Sequence, residues 1–228
     1  AGWTHAYLGP EYKDEEIKAY LDSRGVPYKA LPRQELLKTS ARLLSEGNVI
    51  GWFQGRMEFG PRALGGRSIL GDPRDPKMGD TLNMKIKFRE GFRPFAPSVL
   101  ADKAAEWFET DVDSPYMLLV AQVRQGKRTI PAVTHVDNSA RLQTVTRDES
   151  PLYYDLIREF EKITGVPIVI NTSFNVRGEP IVCTPGDAYL CFMRTNMDQL
   201  VLGPYLLEKK DQPALREDVD WRTLFELD

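Results

Sequence analysis

A glycine-rich loop with three arginines follows the first strongly apolar segment of the chain. The run GRMEFGPRALGGRS at 55–68 holds four glycines, whose backbone N–H groups a ligand can approach closely. Arg56, Arg62 and Arg67 add forked donors that suit phosphate or carboxylate oxygens. The loop lacks the spacing of a Walker motif. Two interpretations stay open: a loop that binds an anion, or a tight surface turn whose arginines pair with Glu58 and Asp72.

A second basic run, KIKFREGFRPFAP at 85–97, alternates cations with aromatic residues just before a predicted strand. In an extended segment, Lys85, Lys87 and Arg89 would share one face, because extended chains repeat every second residue. Such a face, with Arg93 nearby, would attract an anion. The alternative is an edge strand that its lysines protect against aggregation.

A polar run, NTSFNVRGEP at 171–180, follows the predicted strand at 167–170. Ligand sites of α/β proteins commonly lie beyond the carboxyl ends of strands. The hydroxyl of Ser173, the amide of Asn175 and the guanidinium of Arg177 therefore predict the polar wall of a pocket. An Asn/Ser turn that satisfies its own backbone is the alternative.

The fourth run, PAVTHVDNSAR at 131–141, contains His135 and Asp137. A lone histidine is more often structural than a metal ligand, and Cys183 and Cys191 have no second pair, so we predict no zinc site. Ser173 lacks the glycine-flanked turn of a hydrolase nucleophile. A hydroxyl near Arg141 is better suited to bind an oxyanion than to attack.

The elements that must position these runs form an α/β pattern with a mixed sheet. The segments 116–123 and 141–145 have no helix between them, which predicts an antiparallel pair. Thr184 before Pro185 predicts a helix start, and Gly203-Pro204 predicts a hairpin turn. Predicted helices span 14–21, 34–46, 77–84, 102–108, 151–164 and 185–193, and predicted strands span 49–53, 68–70, 97–100, 116–123, 141–145, 167–170 and 200–207.

Composition limits the classes of protein that fit. The 228 residues are 42% apolar with a net charge of −3, which is typical of a globular chain and argues against a general nucleic-acid binder. Residues 55–94 nevertheless hold nine basic and five acidic side chains, which favours a compact anionic ligand. The longest apolar runs are too short to span a membrane. With no visible leader and two cysteines, we expect a cytoplasmic protein.

The four runs together resemble the C-terminal domain of NodU/CmcH-type O-carbamoyltransferases over residues 34–209. The resemblance rests on EFGPRALGGRSIL (58–70), REGFRPFAPSVL (89–100), HVDNSAR (135–141) and NTSFNVRGEPIVCTP (171–185). It implies a YrdC-like fold, a twisted mixed α/β sheet flanked by helices around a cationic cavity. YrdC-like proteins also carry Ser-x-Asn-x-x-Gly-x-Pro, which Ser173, Asn175, Gly178 and Pro180 match.

The resemblance further implies an activity and its residues. The domain would take carbamoyl phosphate and ATP, with Mg²⁺ arriving on the ATP, and form carbamoyl-adenylate while releasing phosphate and pyrophosphate. The implied catalytic residues are Lys87, Arg141, Ser173 and Asn175. Those implied to bind substrate or ATP are Arg56, Arg62, Lys85, Arg93 and Arg177.

The resemblance also divides the chain. Residues 1–32 would be the remnant of an N-terminal domain that moves the carbamoyl group onto an acceptor hydroxyl, 33–210 the YrdC-like domain, and 211–228 a tail. The missing N-terminal domain would be its partner, with a homodimer left open. One departure is Asn138-Ser139, where the family pattern has Gly-Thr. The alternatives are a threonylcarbamoyl-adenylate synthase-like enzyme and a noncatalytic nucleotide-binding module.

Overall fold

The structure is a computed structural model that describes residues 5–87, 95–176 and 178–215, and for Lys85 the backbone alone. Within these ranges the helices are α1 (Asp14–Arg24), α2 (Arg33–Ser45), α3 (Met78–Leu82), α4 (Ala104–Trp107), α5 (Pro151–Thr164) and α6 (Pro185–Arg194). The strands are β1 (Lys29–Ala30), β2 (Ile50–Phe53), β3 (Arg67–Gly71), β4 (Ala96–Leu100), β5 (Val120–Gln122), β6 (Ser139–Arg141), β7 (Gln143–Val145), β8 (Ile168–Ser173), β9 (Gln199–Leu202) and β10 (Tyr205–Glu208).

Eight strands form one mixed sheet in the order β1-β10-β9-β2-β3-β8-β4-β7, and β5 and β6 form a small second sheet. The pairs β2–β9 and β4–β7 are parallel, and the other pairs of the large sheet are antiparallel. Helix α5 contacts α2, β4 and β8, while α6 contacts β2, β9 and α1. The predicted mixed α/β sheet flanked by helices is therefore confirmed.

Several local predictions are confirmed because the controlling residues act within a few positions. Helix α5 has the predicted bounds and ends at Gly165, whose φ of 74° is the left-handed conformation that glycine favours at helix ends. The Thr184 side chain accepts a hydrogen bond from the N–H of Asp187 at the start of α6. The chain between β9 and β10 turns at Gly203 and Pro204.

The predicted strand 141–145 is wrong as a single strand. Arg141 ends β6, which pairs antiparallel with β5 and so confirms part of the predicted 116–123 pairing. Gln143 begins β7, which pairs in parallel with β4 in the large sheet. Leu142 lies fully buried between them, and its N–H donates to the carbonyl of Leu119. The chain thus changes sheets within one residue.

The predicted extended face around Lys85 and Lys87 is also wrong. Residues Asn83–Lys87 form a π-helical turn that continues α3. Ile86 and Lys87 are both buried in this turn, so side chains do not alternate between two faces as they would in a strand.

The register brings four of the sequence runs to one edge of the large sheet. Phe53 at the end of β2 is opposite Arg67, and Ser68 is opposite Ser173 at the end of β8. Because β4 is antiparallel to β8, and β7 is parallel to β4, both begin near this same edge. This edge consists of the ends of neighbouring strands and is not an outermost strand; we call it the site edge. The glycine-rich loop, the end of β8 and the chain between β6 and β7 all meet there.

Residues before α2 pack on the same core as the rest. Ile17 and Leu21 of α1 are buried with Leu200 and Leu206 in one apolar cluster, and β1 pairs with β10. The domain boundaries at 32 and 210 stay predictions. None of the helices within the described ranges has the length and apolar character that crossing a bilayer requires.

Candidate anion-binding site

Glu58 gives the glycine-rich loop its shape. Its carboxylate is buried, and Oε1 accepts hydrogen bonds from the backbone N–H groups of Leu64 (2.6 Å), Gly66 (2.6 Å) and Arg67 (3.3 Å). A Cβ at Gly66 would lie 2.9 Å from the carbonyl oxygen of Arg56 and 3.1 Å from both Glu58 oxygens, so the loop closes only around glycine. These N–H groups therefore serve the loop itself. The alternative prediction, a surface turn in which an arginine side chain pairs with Glu58, is wrong for Oε1, because this oxygen accepts from backbone N–H groups.

The three loop arginines have different environments. Arg67 is fully buried, donates to the carbonyls of Gln54, Gly55, Gly66 and Pro10, and lies 3.5 Å from the centre of the Phe53 ring. Burial lowers the pKa of Arg67 to about 10. Its terminal nitrogens are satisfied by these carbonyls, while its Nε is buried without a hydrogen-bond partner among the described residues.

Arg56, which the resemblance implies in substrate binding, points toward the amino-terminal segment. Its Nε donates to the carbonyl of Gly9 (3.1 Å) and its terminal nitrogen to that of Leu8 (3.2 Å). The side chain is exposed, so these contacts leave part of the guanidinium accessible. A role in binding substrate stays a prediction.

Arg62 and Arg141 belong to separate runs, and the charge of Arg62 acts on Arg141. Both side chains are half-buried, and the Nε of each is buried without a hydrogen-bond partner among the described residues. Burial, and then the charge of Arg62, lower the pKa of Arg141. Within those same ranges neither guanidinium forms a salt bridge. Two cations that lie close together without a carboxylate create a strongly anion-attracting position.

Lys87 joins Ser173 and Asn175. Its buried Nζ donates to both carbonyls (2.7 and 2.8 Å), to Asn175 Oδ1 (2.8 Å) and to Ser173 Oγ (3.3 Å). The Ser173 hydroxyl also donates to Asn175 Oδ1 (2.7 Å). An ammonium group has three protons, so an anion that binds Lys87 directly has to replace one of these oxygens. The three residues thus share one polar cluster.

Two buried amides, which the sequence did not predict, connect the glycine-rich loop to the strands that carry Ser173 and Gln143. Asn171 Nδ2 donates to the carbonyl of Ala63 (3.0 Å) and to Gln143 Oε1 (2.9 Å), and Gln143 Nε2 donates to the carbonyl of Leu64 (2.9 Å). Asn171 lies two residues before Ser173, Gln143 two after Arg141, and Ala63 one after Arg62. Asn171 is the first residue of the polar run NTSFNVRGEP, and this position was the only sign in the sequence of its role. Nothing in the sequence marks Gln143 as part of the site.

The turn at 135–139 has a structural explanation. The Asp137 carboxylate accepts from the N–H (3.0 Å) and hydroxyl (2.7 Å) of Ser139, and these hydrogen bonds lower the pKa of Asp137. His135 is exposed in this turn. Asn138 has a φ of 64°, a conformation that asparagine tolerates and glycine favours, so the departure from Gly-Thr is compatible with the same turn.

Three implied residues are not placed. The side chain of Lys85, together with Arg93 and Arg177, lies outside the described residues, as do Arg89 and most of the REGFRPFAP run. The remaining implied residues at the site edge are Arg62, Lys87, Arg141, Ser173 and Asn175. They offer guanidinium, ammonium, hydroxyl and amide groups, which bind and orient phosphorylated or carboxylated molecules.

The fold defines a mixed α/β domain that gathers cationic and amide side chains at one edge of its sheet. The chain belongs to the family described as "Carbamoyltransferase C-terminus", which matches residues 41–209.

Its relatives are longer proteins. The chain is 53% identical over 246 residues to the uncharacterized protein sll1178 of Synechocystis sp., covering 98% of this chain and 40% of that protein. It is 46% identical to nodulation protein NolNO of Sinorhizobium fredii, covering 90% of this chain and 31% of the relative. The chain therefore spans less than half the length of these curated relatives.

A solved structure shares the fold. The crystal structure of full-length HypF in a phosphate- and nucleotide-bound form matches 91% of this chain and 22% of HypF, with a TM-score of 0.50 and 19% sequence identity. At this identity the likeness concerns the fold alone.

Proposed function

We propose that this chain is the carbamoyl-adenylating part of an O-carbamoyltransferase. The observation that carries the proposal is the hydrogen-bond network in which Asn171 and Gln143 join the backbone beside Arg62 to the strands that carry Ser173 and Gln143. This network brings Arg62 and Arg141, which have no salt bridge in the described ranges, to the sheet edge that also holds Lys87, Ser173 and Asn175. Membership of the carbamoyltransferase C-terminal family supports the same chemistry.

The proposed reaction brings two anions together. Water cleaves carbamoyl phosphate to carbamate and phosphate; a carbamate oxygen then attacks the α-phosphorus of ATP, forming carbamoyl-adenylate and expelling pyrophosphate. Carbamoyl phosphate and ATP repel each other, so a site that holds both must offset several negative charges. Arg141 and Arg62 would bind phosphoryl oxygens through forked donors, and such positioning and charge stabilisation supply most of the catalysis in phosphoryl transfer.

The polar cluster around Lys87 would complete the site. Lys87 acts as a compact positive charge, and the Ser173 hydroxyl and Asn175 amide lie within hydrogen-bonding distance of its Nζ. When a phosphoryl oxygen replaces one of these oxygens, the Ser173 hydroxyl is positioned to donate to the same ligand. Asn175, whose Nδ2 donates to the carbonyl of Glu179 (2.7 Å), would orient Lys87 and Ser173 through Oδ1. Arg56, Lys85, Arg93 and Arg177 remain proposed contacts to substrate or ATP.

ATP and Mg²⁺ are the implied cofactors. The half-buried guanidinium groups of Arg62 and Arg141, which form no salt bridge in the described ranges, would offer their terminal nitrogens to the triphosphate of ATP. The fold-level neighbour HypF was crystallised with phosphate and nucleotide, which agrees with this assignment. Mg²⁺ prefers phosphate and water oxygens, and Glu58, the carboxylate of the glycine-rich loop, is engaged with backbone N–H groups. We therefore propose that Mg²⁺ binds together with ATP.

The rest of the full-length protein would complete the transfer. The chain covers 31–40% of its first relatives, so a preceding domain that passes the carbamoyl group to an acceptor hydroxyl is its proposed partner. A cytoplasmic location and a homodimer likewise stay proposals.

Pyrophosphate release tests the function. The purified chain is incubated with ATP and Mg²⁺, with and without carbamoyl phosphate, beside Arg141→Ala and the control Arg158→Ala, which changes a paired arginine on α5. We expect release that depends on carbamoyl phosphate and is lost in Arg141→Ala alone.

The same assay decides between the alternatives. Release with bicarbonate and threonine, but not with carbamoyl phosphate, would identify a threonylcarbamoyl-adenylate synthase-like enzyme. ATP binding by calorimetry without any release by the full-length parent protein would identify a noncatalytic nucleotide-binding module. Either outcome refutes the proposal.

A further inference from the structure

The two arginines of the site repel each other, so other groups must hold them in place. Leu64, two residues after Arg62, accepts a hydrogen bond from Gln143, two residues after Arg141 (2.9 Å), so the two arginines flank a direct contact, and no salt bridge in the described ranges neutralises either. Arg62 lies in a loop, where a side chain would normally relax away from a like charge. The chain must therefore fix the backbone beside Arg62 against β7 and β8.

The two buried amides make this attachment. Glu58 ties the glycine-rich loop to itself, whereas Asn171 and Gln143 tie the carbonyls of Ala63 and Leu64 to β8 and β7. Both amides are almost fully buried. Water therefore cannot easily replace their hydrogen bonds if one amide is removed.

The orientation of the amide pair is determined by its neighbours. Gln143 Oε1 accepts from the hydroxyl of Ser98 (2.6 Å) and from Asn171 Nδ2 (2.9 Å), while Gln143 Nε2 faces the carbonyl of Leu64. A flipped Gln143 amide would place its oxygen against that carbonyl and its nitrogen against the Asn171 donor. One arrangement alone satisfies these hydrogen bonds.

We propose that Gln143 is a positioning residue of the anion site, which acts by holding the loop so that Arg62 faces Arg141. Gln143 follows Arg141 by two residues along the chain, and its Nε2 holds the carbonyl two residues after Arg62. Together with Asn171 and with the Tyr7 hydroxyl, which also donates to the carbonyl of Leu64 (2.8 Å), Gln143 thus helps to set the spacing between two arginines that are 79 residues apart in sequence. The inference rests on the proposed function, because it assigns a role to the same site.

The first test measures phosphate affinity. Calorimetry with inorganic phosphate compares the wild-type chain with Gln143→Met, which keeps the length of the side chain and removes its hydrogen bonds. We expect about 10-fold weaker binding, the effect of losing one buried hydrogen bond at the site. The control Gln199→Met makes the same change at a buried amide at the start of β9, opposite Ile50 and away from the strand ends that form the site edge. It should leave the affinity unchanged.

A double-mutant cycle separates positioning from general loosening of the fold. If Gln143 acts through Arg62, then Gln143→Met should weaken phosphate binding about 10-fold in the wild-type chain and less than about 2-fold when Arg62→Ala is already present. A merely structural amide would weaken binding by the same factor in both backgrounds. Equal factors would therefore overturn the proposal.

A milder variant covers the case in which Gln143→Met does not fold. Ser98→Ala removes the hydroxyl that orients the Gln143 amide but leaves the bond to Leu64 in place. We expect about 3-fold weaker phosphate binding, again abolished in the Arg62→Ala background. Unchanged affinity in Ser98→Ala, with a folded protein, would also count against the inference. A wild-type chain that binds neither phosphate nor ATP would refute the proposed function itself, and with it the inference that rests on it.

Discussion

Two basic regions of this chain differ in what neutralises them. A groove of about 570 Å³ between α2 and α5 carries Arg33, Arg147, Arg158 and Lys162. Each of the four pairs with a carboxylate at 2.6–3.3 Å, as in the bridges to Asp155 and Glu159. At the site edge, Arg62 and Arg141 have each other as neighbours and no salt bridge in the described ranges. The groove has more cations, yet the site edge has more unsatisfied positive charge.

If the proposed function is right, pairing, and not the number of cations, distinguishes an anion site from other basic surfaces. Paired surface charges contribute little to stability and have little attraction left for a ligand. Arg67 adds a third arrangement, in which the terminal nitrogens of a buried guanidinium donate to backbone carbonyls and the group lies over an aromatic ring. The following predictions test whether these three environments give three different phenotypes.

The largest expected effect is on stability, from Arg67→Met. The substitution removes the donors that satisfy several carbonyls near the glycine-rich loop, and we expect the free energy of unfolding to fall by about 3 kcal/mol. Urea denaturation measures it. The matched control Arg158→Met, at a partly exposed paired arginine, should lose less than about 1 kcal/mol. Equal losses of unfolding free energy in the two variants would show that the buried Arg67 and the surface-paired Arg158 do not differ in their contribution to stability.

The next largest effect is on anion affinity, from Arg141→Ala. Loss of a charge-assisted bond to a half-buried anion should weaken binding of carbamoyl phosphate by about 2 kcal/mol, which is about 30-fold. Calorimetry on the folded variant measures it, with Arg158→Ala from the groove as the control of equal charge change. An unchanged affinity in Arg141→Ala would show that the unpaired arginines face another ligand or none.

These contrasts also show which features a sequence can predict. Helix α5, the Thr184 cap and the turn at Gly203 depend on residues within a few positions, and all three are confirmed. The contact of Lys87 with Ser173 and Asn175 was also predictable, because the cations of one motif and the polar side chains of the other suit the same anionic ligand. The role of Glu58 was not predictable, because its partners are backbone N–H groups that only the folded loop brings to it.

Other features depend on long-range packing. The π-helical turn at Asn83–Lys87 buries Ile86 and Lys87, which overrides the alternation read from the sequence. The break between β6 and β7 depends on two long-range contacts. The N–H of Leu142 donates to the carbonyl of Leu119, and Gln143 pairs with β4 of the large sheet. Gln143 itself carries no motif, since a buried amide is recognisable only from the carbonyls that surround it.

The smallest expected effect concerns a fourth environment, that of Lys209 beside α6. Its Nζ donates to the carbonyl of Phe192 and lies 4.1 Å from the centre of the Phe192 ring. Burial lowers the pKa of Lys209 from its ordinary value of 10.5 to about 8. The unfolded chain therefore binds more protons than the folded chain between these two pH values, and Lys209 makes stability rise with pH across that window.

Lys209→Met should remove that rise. Urea midpoints are compared below pH 8, between the two pKa values and above 10.5. The control Lys162→Met, at an exposed lysine paired with Glu159, should keep the wild-type slope. Because the partly exposed Lys209 is screened by solvent, its contribution to the slope should be smaller than the effects above. A slope that survives in Lys209→Met would show that another titrating group produces the rise, and would contradict the assignment of the lowered pKa to Lys209.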